Sequence, residues 1–88
     1  LINYSKFDRP LSFGDGTVEL IRIEVPATRV GRKVQDVSMI GDIQVVSIVR
    51  ENTGFIPTQG TTLMEHDILF VAVNTSAIDQ LKSLMGMQ

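Results

Sequence analysis

The stretch IQVVSIVRENTGFIP, residues 43–57, carries the clearest structural pattern in the chain. Its first eight residues are apolar and β-branched at nearly every position, which predicts a central strand covered on both faces. The next four, ENTG, predict a hairpin connection, because Asn52 and Gly54 are able to take a positive φ. FIP then predicts a short strand that ends at Pro57. The stretch therefore indicates a hairpin built on a central strand.

Upstream, TVELIRIEV at residues 17–25 alternates apolar and charged positions, which is typical of a strand with one buried face. Pro26 ends this strand because it has no N–H to donate to a neighbour. Residues 1–16 mix Pro, Gly and polar residues without a sustained period, and they predict a linker or arm from a preceding domain. This arm is expected to end in a Gly-Asp-Gly turn at residues 14–16.

Two helices and one more strand complete the predicted fold. Between the first two strands, Val34, Val37 and Ile40 recur every three residues, which predicts a short helix that ends near Gly41. ILFVAV at residues 68–73 predicts a second buried strand. The final helix, SAIDQLKSLMG, is expected to have a Ser76–Asp79 cap, a closing Gly86 and one apolar stripe consisting of Ile78, Leu81, Leu84 and Met85.

This order predicts a small α+β domain of about four strands, with a short helix after the first strand and a C-terminal helix.

The composition limits the classes of partner and site that the domain is expected to have. A formal net charge of -2 exerts no general attraction on nucleic acid or anionic lipid. The absence of cysteine excludes disulfides and thiolate metal sites. No apolar run approaches the roughly 20 residues that span a bilayer, so we expect no direct membrane insertion.

The length of the chain suggests that it needs a partner. A chain of 88 residues buries only roughly 60–65% of its unfolded surface, so its core is small. The sequence also begins at Leu1 without a signal-peptide pattern, and we expect it to be a piece of a longer protein.

Residues 65–67, Glu-His-Asp, hold the only histidine and are the most obvious candidate for a metal or catalytic cluster. Consecutive residues in an extended chain point to opposite sides, and no second His or any Cys is present to complete a zinc site. A polar turn is therefore favoured, while an oxygen-only calcium or magnesium site stays open. No serine lies in a G-x-S-x-G frame, so we predict neither catalytic nor metal-binding residues.

Basic residues are grouped at one place, where Arg29, Arg32 and Lys33 surround Gly31. Such a group either contacts an anion such as a nucleotide phosphate or forms a solvated helix start, and the second interpretation is favoured. Arg50, at the end of a buried strand, is expected to extend its charge to water.

In order and spacing, VELIRIEV, VGRKVQDV, VVSIVRENTGFIP, GTTLMEHDILFV and IDQLKSLMG resemble the TrkA C-terminal (RCK C-terminal) domain family of potassium transport regulators. The resemblance covers roughly residues 17–86. It implies a cytoplasmic regulatory domain of a potassium uptake or other cation transport protein, without catalysis of its own. It further implies a homodimer, a preceding Rossmann-like nucleotide-binding domain and a membrane channel or transporter partner. Such a domain lies at the membrane only through that partner.

The same resemblance implies a ligand in the cleft between paired domains, with cyclic di-AMP as the best-known type. We predict Ile40, Gly41, Asp42, Ile43, Gln44 and Pro57 as the cleft residues. No cofactor is expected in the chain itself beyond a possible nucleotide ligand. The alternatives are a purely structural dimerisation domain without ligand and a small metal-dependent hydrolase built on residues 65–67.

Two positions depart from the family pattern. The family usually has Gly before Asp67, so His66 is expected to take a positive φ in a tight turn. Members that bind cyclic di-AMP tend to carry a basic residue before the second strand and an Asn at its start, where this chain has Ser38 and Gln44. Gln44 partly replaces the Asn, but the missing basic group argues against cyclic di-AMP.

Overall fold

The predicted strands assemble into one antiparallel sheet in a computed structural model, which describes residues 11–87. The sheet has five strands in the order β1-β2-β5-β3-β4. Three 3-10 turns cover Ala27–Arg29, Val34–Val37 and Thr75–Ala77, and one helix, α1, covers Ile78–Leu84. The strands are β1 (Leu11–Phe13), β2 (Val18–Glu24), β3 (Ile43–Arg50), β4 (Thr53–Phe55) and β5 (Ile68–Asn74). The α+β prediction is confirmed, with five strands in place of about four.

The central strand is β5, which pairs with β2 along its whole length, from Val18 opposite Asn74 to Glu24 opposite Ile68. β3 lies on the other side of β5 and carries a register shift between Val45 and Ser47. The prediction that β3 is covered on both faces is wrong for the single chain. Its outer neighbour is the three-residue β4, and only one of its faces contributes to the buried core.

The core lies on one face of the sheet, against the 3-10 turn Val34–Val37, Leu63 and α1. Val34 and Val37 are buried, but the helix predicted to end near Gly41 shortens to this one turn. The backbone N–H groups of this turn donate to a distant segment of the chain instead of within a longer helix. Val34 N–H donates to Thr61 O, and Gln35 N–H donates to Gln59 O. Ile40, which was expected to lie on this helix, follows its end and is fully exposed.

The first turn forms as predicted at residues 14–16, where Gly16 N–H donates to Phe13 O at 3.1 Å. The arm preceding it is not all linker, because Leu11–Phe13 forms β1 and pairs with β2. The remaining residues of the predicted arm, 1–10, lie outside the described part of the chain.

The β3–β4 hairpin is tighter than predicted. Glu51 and Asn52 both have positive φ, 50° and 66°, as a two-residue connection requires. Gly54, expected in the turn, instead lies within β4 opposite Val49. The short strand consequently ends at Phe55, two residues before the predicted end at Pro57.

The N-terminus of α1 differs from the predicted Ser76–Asp79 cap. The chain turns through Thr75–Ala77 before the helix begins, so Ser76 is exposed and the helix has no side-chain cap bond at its start. The apolar stripe is confirmed, with Leu81 and Met85 fully buried, and Gly86 ends the helix at φ +70°. Within residues 11–87, no helix combines the length and the apolarity that crossing a membrane requires.

Candidate ligand-binding site

The predicted cleft residues lie mostly on one tight loop that leads into β3. Met39 and Ile43 bond to each other in both directions, with N–H to O distances of 3.0 and 2.8 Å. Gly41 sits at the tip with φ +83°, a conformation that strains any residue with a Cβ, although no neighbouring atom would obstruct one. The loop therefore depends on glycine for its backbone shape rather than for space.

This loop is held to the end of β5 by Asn74. The side-chain amide of Asn74 donates to Gly41 O at 3.0 Å and to Asp42 Oδ1 at 2.9 Å. Its backbone N–H also donates to Asp42 O at 2.9 Å. Three bonds from one residue fix the position of Asp42 relative to the sheet. Asn74 did not emerge from the sequence, where its only signal is a polar residue directly after an apolar strand.

Around this contact lies a cavity of about 150 Å³, lined by Val18, Gly41, Asp42, Ile43, Gln44, Ala72, Val73 and Asn74. Four of the six predicted residues therefore surround one cavity. Pockets that bury a drug-sized ligand measure about 300–1,000 Å³. The cavity of a single chain accommodates only part of a nucleotide, so a nucleotide would need a further wall.

The other two predicted residues lie elsewhere. Ile40 lines a separate groove of about 610 Å³ on the outer side of the loop, together with Gln35, Ser38, Met39 and Gln59. Pro57 is half-buried and lines neither of these cavities. Among the described residues, no basic side chain lines either one, and the Ser38 hydroxyl donates to Val34 O at 2.7 Å.

The basic group near Gly31 is divided by the fold. Arg29 Nε donates to Leu84 O at 2.7 Å, so its guanidinium sits at the C-terminus of α1, where a cation is favourable. Arg32 and Lys33 are exposed. The anion-binding alternative loses Arg29, which has a structural partner instead.

His66 takes φ 72°, as predicted for a turn residue in a position usually held by glycine. Its side chain is 81% exposed and lies 3.8 Å from both the Glu24 and the Glu65 carboxylates. Within residues 11–87, no three His, Cys, Asp or Glu side chains are grouped so as to hold a metal ion. The geometry around His66 is that of a solvated turn.

Asp67, the next residue, is fully buried and pairs with Arg50. The expectation that Arg50 extends its charge to water is therefore corrected, because its guanidinium contacts this carboxylate. Arg50 Nε and Nη2 donate to the two carboxylate oxygens at 2.9 and 2.7 Å, and Met64 N–H adds a third bond at 2.9 Å. Burial alone raises the pKa of Asp67, but these hydrogen bonds and the charge of Arg50 outweigh it and lower the pKa.

Arg50 is also fixed by two further contacts. Its Nη2 donates to Thr62 O at 3.0 Å, and its guanidinium lies 5.0 Å from the centre of the Phe55 ring. The hydrogen bond with Asp67 raises the pKa of Arg50 above its usual value. Arg50 and Asp67 therefore join the β3–β4 hairpin to the turn before β5. This contact is structural.

Comparisons with known proteins agree with this arrangement. A family model described as the TrkA-C domain matches residues 18–86. Eighteen chains of solved structures also match. One of them, described as "Structure of RCK domain with cda", is 27% identical with a TM-score of 0.61, over 75% of this chain and 96% of that chain. No curated protein matches the chain. The chain belongs to the TrkA-C domain family, whose members are regulatory domains of ion transport systems.

Proposed function

We propose that the chain is a dimerising, ligand-sensing domain that regulates a potassium uptake or other cation transport protein in the cytoplasm. The observation that carries this proposal is the loop of residues 39–44. It is pinned to β5 by Asn74, and its cavity of about 150 Å³ is too small for a nucleotide within one chain. A site incomplete in one chain fits a cleft closed by a second domain.

The proposed mechanism couples this cleft to a membrane pore. Two domains pair, and a ligand between them changes their relative angle. Attached Rossmann-like nucleotide-binding domains carry that change to the channel or transporter. The ligand shifts the equilibrium only if it binds the two arrangements with different affinity.

The groups lining the cavity indicate which part of a nucleotide it suits. Gln44 is exposed on β3, and Asp42 contributes a carboxylate that is half-buried. Amides and a carboxylate recognise the edge of a base, whereas no basic side chain among the described residues lines the cavity to neutralise phosphates. We therefore expect neutral nucleosides or singly charged nucleotides to bind better than cyclic di-AMP.

Calorimetry against a panel of nucleotides tests the proposal. The panel includes cyclic di-AMP. It also includes the compound abbreviated cda in the description of the similar RCK domain. Heat of binding that is lost in Gln44→Ala but retained in Gln59→Ala would support a site at the loop cavity. Gln59 is a matched control because it is also exposed but lines the outer groove. No heat with any nucleotide would favour the purely structural dimerisation domain.

The hydrolase alternative has a separate test. A metal-dependent enzyme built on residues 65–67 requires that chelation abolish an activity or lower the melting temperature. No change with chelator would remove this alternative, since the turn at His66 is formed by backbone geometry and by the Arg50–Asp67 pair.

A further inference from the structure

A second large groove lies at the end of the sheet opposite the loop cavity. It measures about 680 Å³ and is lined by residues 49–52, at the β3–β4 turn, and by residues 64–68, at the turn before β5. Ile68 at the start of β5 lines this groove, whereas Asn74 at the end of β5 lines the loop cavity. The seven residues of β5 place these two positions about 20 Å apart. The groove is therefore separate from the proposed ligand site.

A smaller groove of about 390 Å³ adjoins the first, because Glu65 and His66 line both. Its other lining residues are Glu24, Val25, Ala27 and Val30. We call the residues that line either groove the end surface. Two of its large apolar side chains are open to water, since Met64 is 48% exposed and Val30 is 39% exposed. Exposed apolar side chains with a polar rim mark a surface that binds another molecule.

The end surface is also strongly acidic. Four carboxylates line it, those of Glu24, Glu51, Glu65 and Asp67. Arg50 is the one cation among its described lining residues, and it is held by Asp67. With His66 neutral, this lining carries a charge of -3, whereas the whole chain carries -2. The negative charge of the chain is thus concentrated at this end, where all three glutamates are exposed.

The sign of this charge selects the partner. A second copy of the chain would bring two acidic surfaces together in a two-fold pair, and like charges across an interface are unfavourable. Nucleic acid and anionic lipid are repelled for the same reason. A protein segment in which Lys or Arg lies next to apolar residues matches both the charge and the apolar side chains of the end surface.

We propose that the end surface binds a basic cytoplasmic loop of the membrane transport protein that this domain regulates. Cytoplasmic loops of membrane proteins carry an excess of Lys and Arg, which is the charge that this surface complements. The inference rests on the proposed function and names the partner of a surface to which that function gives no role. An extended loop repeats its side-chain direction about every 7 Å, so its basic side chains can reach Glu24 and Glu65 while an apolar one contacts Met64.

Fluorescence anisotropy at low salt tests the proposal with a labelled peptide of alternating Lys and Val. We expect it to bind about 5-fold or more tightly than a peptide of alternating Lys and Ser, and a peptide of alternating Glu and Val should not bind. Glu24→Gln combined with Glu65→Gln should weaken binding of the Lys–Val peptide about 5-fold or more. Asp15→Asn combined with Asp79→Asn is the matched control, because it removes the same charge from exposed residues off the end surface. Its effect should be below about 2-fold.

Amide chemical shifts of the wild type locate the bound peptide. The Lys–Val peptide should shift residues 64–66 and leave residues 39–44 unchanged. If a double variant does not fold, these shifts decide alone.

Four results would overturn the inference. The Lys–Val peptide does not bind, or it shifts residues 39–44 instead of residues 64–66. Both double variants weaken binding equally, which would show a diffuse attraction to an acidic chain. Residues 64–66 shift with protein concentration alone, which would assign the end surface to a second copy. None of these results changes the outcome of nucleotide calorimetry, so the ligand-sensing function stands or fails by that separate measurement.

Discussion

The Arg50–Asp67 pair offers the sharpest test of the structure, through the substitution Asp67→Asn. The variant keeps the shape of the side chain and an acceptor for Met64 N–H. It removes the negative charge, and its amide NH₂ opposes a guanidinium N–H of Arg50. One of the two hydrogen bonds from Arg50 is therefore lost, and the other is donated to a neutral acceptor instead of a carboxylate.

The size of the effect follows from the unequal burial of the two partners. Removing one member of a fully buried pair costs about 3–5 kcal/mol, whereas an exposed pair contributes about 0.2–1 kcal/mol. Asp67 is 0% exposed, but Arg50 is 34% exposed and can turn toward water when its partner is lost. We therefore expect a loss of about 2 kcal/mol in the free energy of unfolding. For a domain of this size, that lowers the melting temperature by about 8–16 °C.

Urea denaturation of the wild type and the variant measures this loss, with an unchanged m-value showing that the folded state is intact. Glu65→Gln is the control, because it removes the same charge from an exposed side chain in the same turn. Its expected cost is below about 0.5 kcal/mol. If Asp67→Asn costs no more than Glu65→Gln, the pair does not hold the hairpin to the turn and the reasoning is refuted.

The pH dependence supplies an independent check. The pKa of Asp67 is lowered in the folded state, so its contribution is complete above the unfolded pKa of about 3.9 and is lost as pH falls through the folded value. The stability difference between wild type and Asp67→Asn should therefore be constant above about pH 5 and shrink below about pH 4. A difference that persists unchanged at lower pH would contradict ionisation as its source.

Three further substitutions test separate contacts. Arg29→Ala should release the C-terminus of α1 and lower the free energy of unfolding by about 1 kcal/mol. Faster amide hydrogen exchange in the last turn of α1 would show this, and unchanged exchange would exclude the contact with Leu84. His66→Gly should preserve dimerisation and raise stability by up to about 1 kcal/mol in thermal melts, because His66 takes φ 72°; a lower melting temperature would contradict strain there. Asn74→Ala should free the loop around Asp42 and lower the free energy of unfolding by about 1–2 kcal/mol. Amide hydrogen exchange at Ile43 N–H should then increase, whereas protection as in the wild type would show that Asn74 does not hold the loop.

The features predicted correctly from the sequence depend on neighbours in the chain. The alternation in β2 decides which face is buried. The positive φ of His66 was expected from the family resemblance instead, because the family usually has Gly at this position. The contacts that sequence reasoning missed join distant positions. Arg50 and Asp67 are 17 residues apart, and Asp42 and Asn74 are 32 apart. Which polar residues meet across a sheet depends on strand order, and local periodicity carries no information on that order.

The placement of Ile40 shows the same limit at short range. A three-residue spacing with Val34 and Val37 satisfies a helical stripe, but the backbone donors of that turn bond to residues 59 and 61 instead. Once the helix stops at Val37, the reversal at Gly41 turns Met39 toward the core and leaves Ile40 fully exposed. Tertiary hydrogen bonds thus override a correct local pattern, and Ile40 lies in a separate groove from the other predicted residues of the loop.

The apolar runs of β3 and β5 require a different explanation. Each of these two runs predicts a strand that is covered on both faces. The described chain, however, buries only one face of each strand. Local periodicity reports which side chains avoid water in the functional state, and that state need not be a single chain. The proposed dimerisation would explain the excess of apolar residues at Phe70, Ala72 and Val49. The protein has no cysteine, so an Ala72→Cys variant carries a single thiol beside Leu20. If the wild type dimerises but the maleimide labelling rate of this thiol does not fall as protein concentration rises, this explanation is wrong.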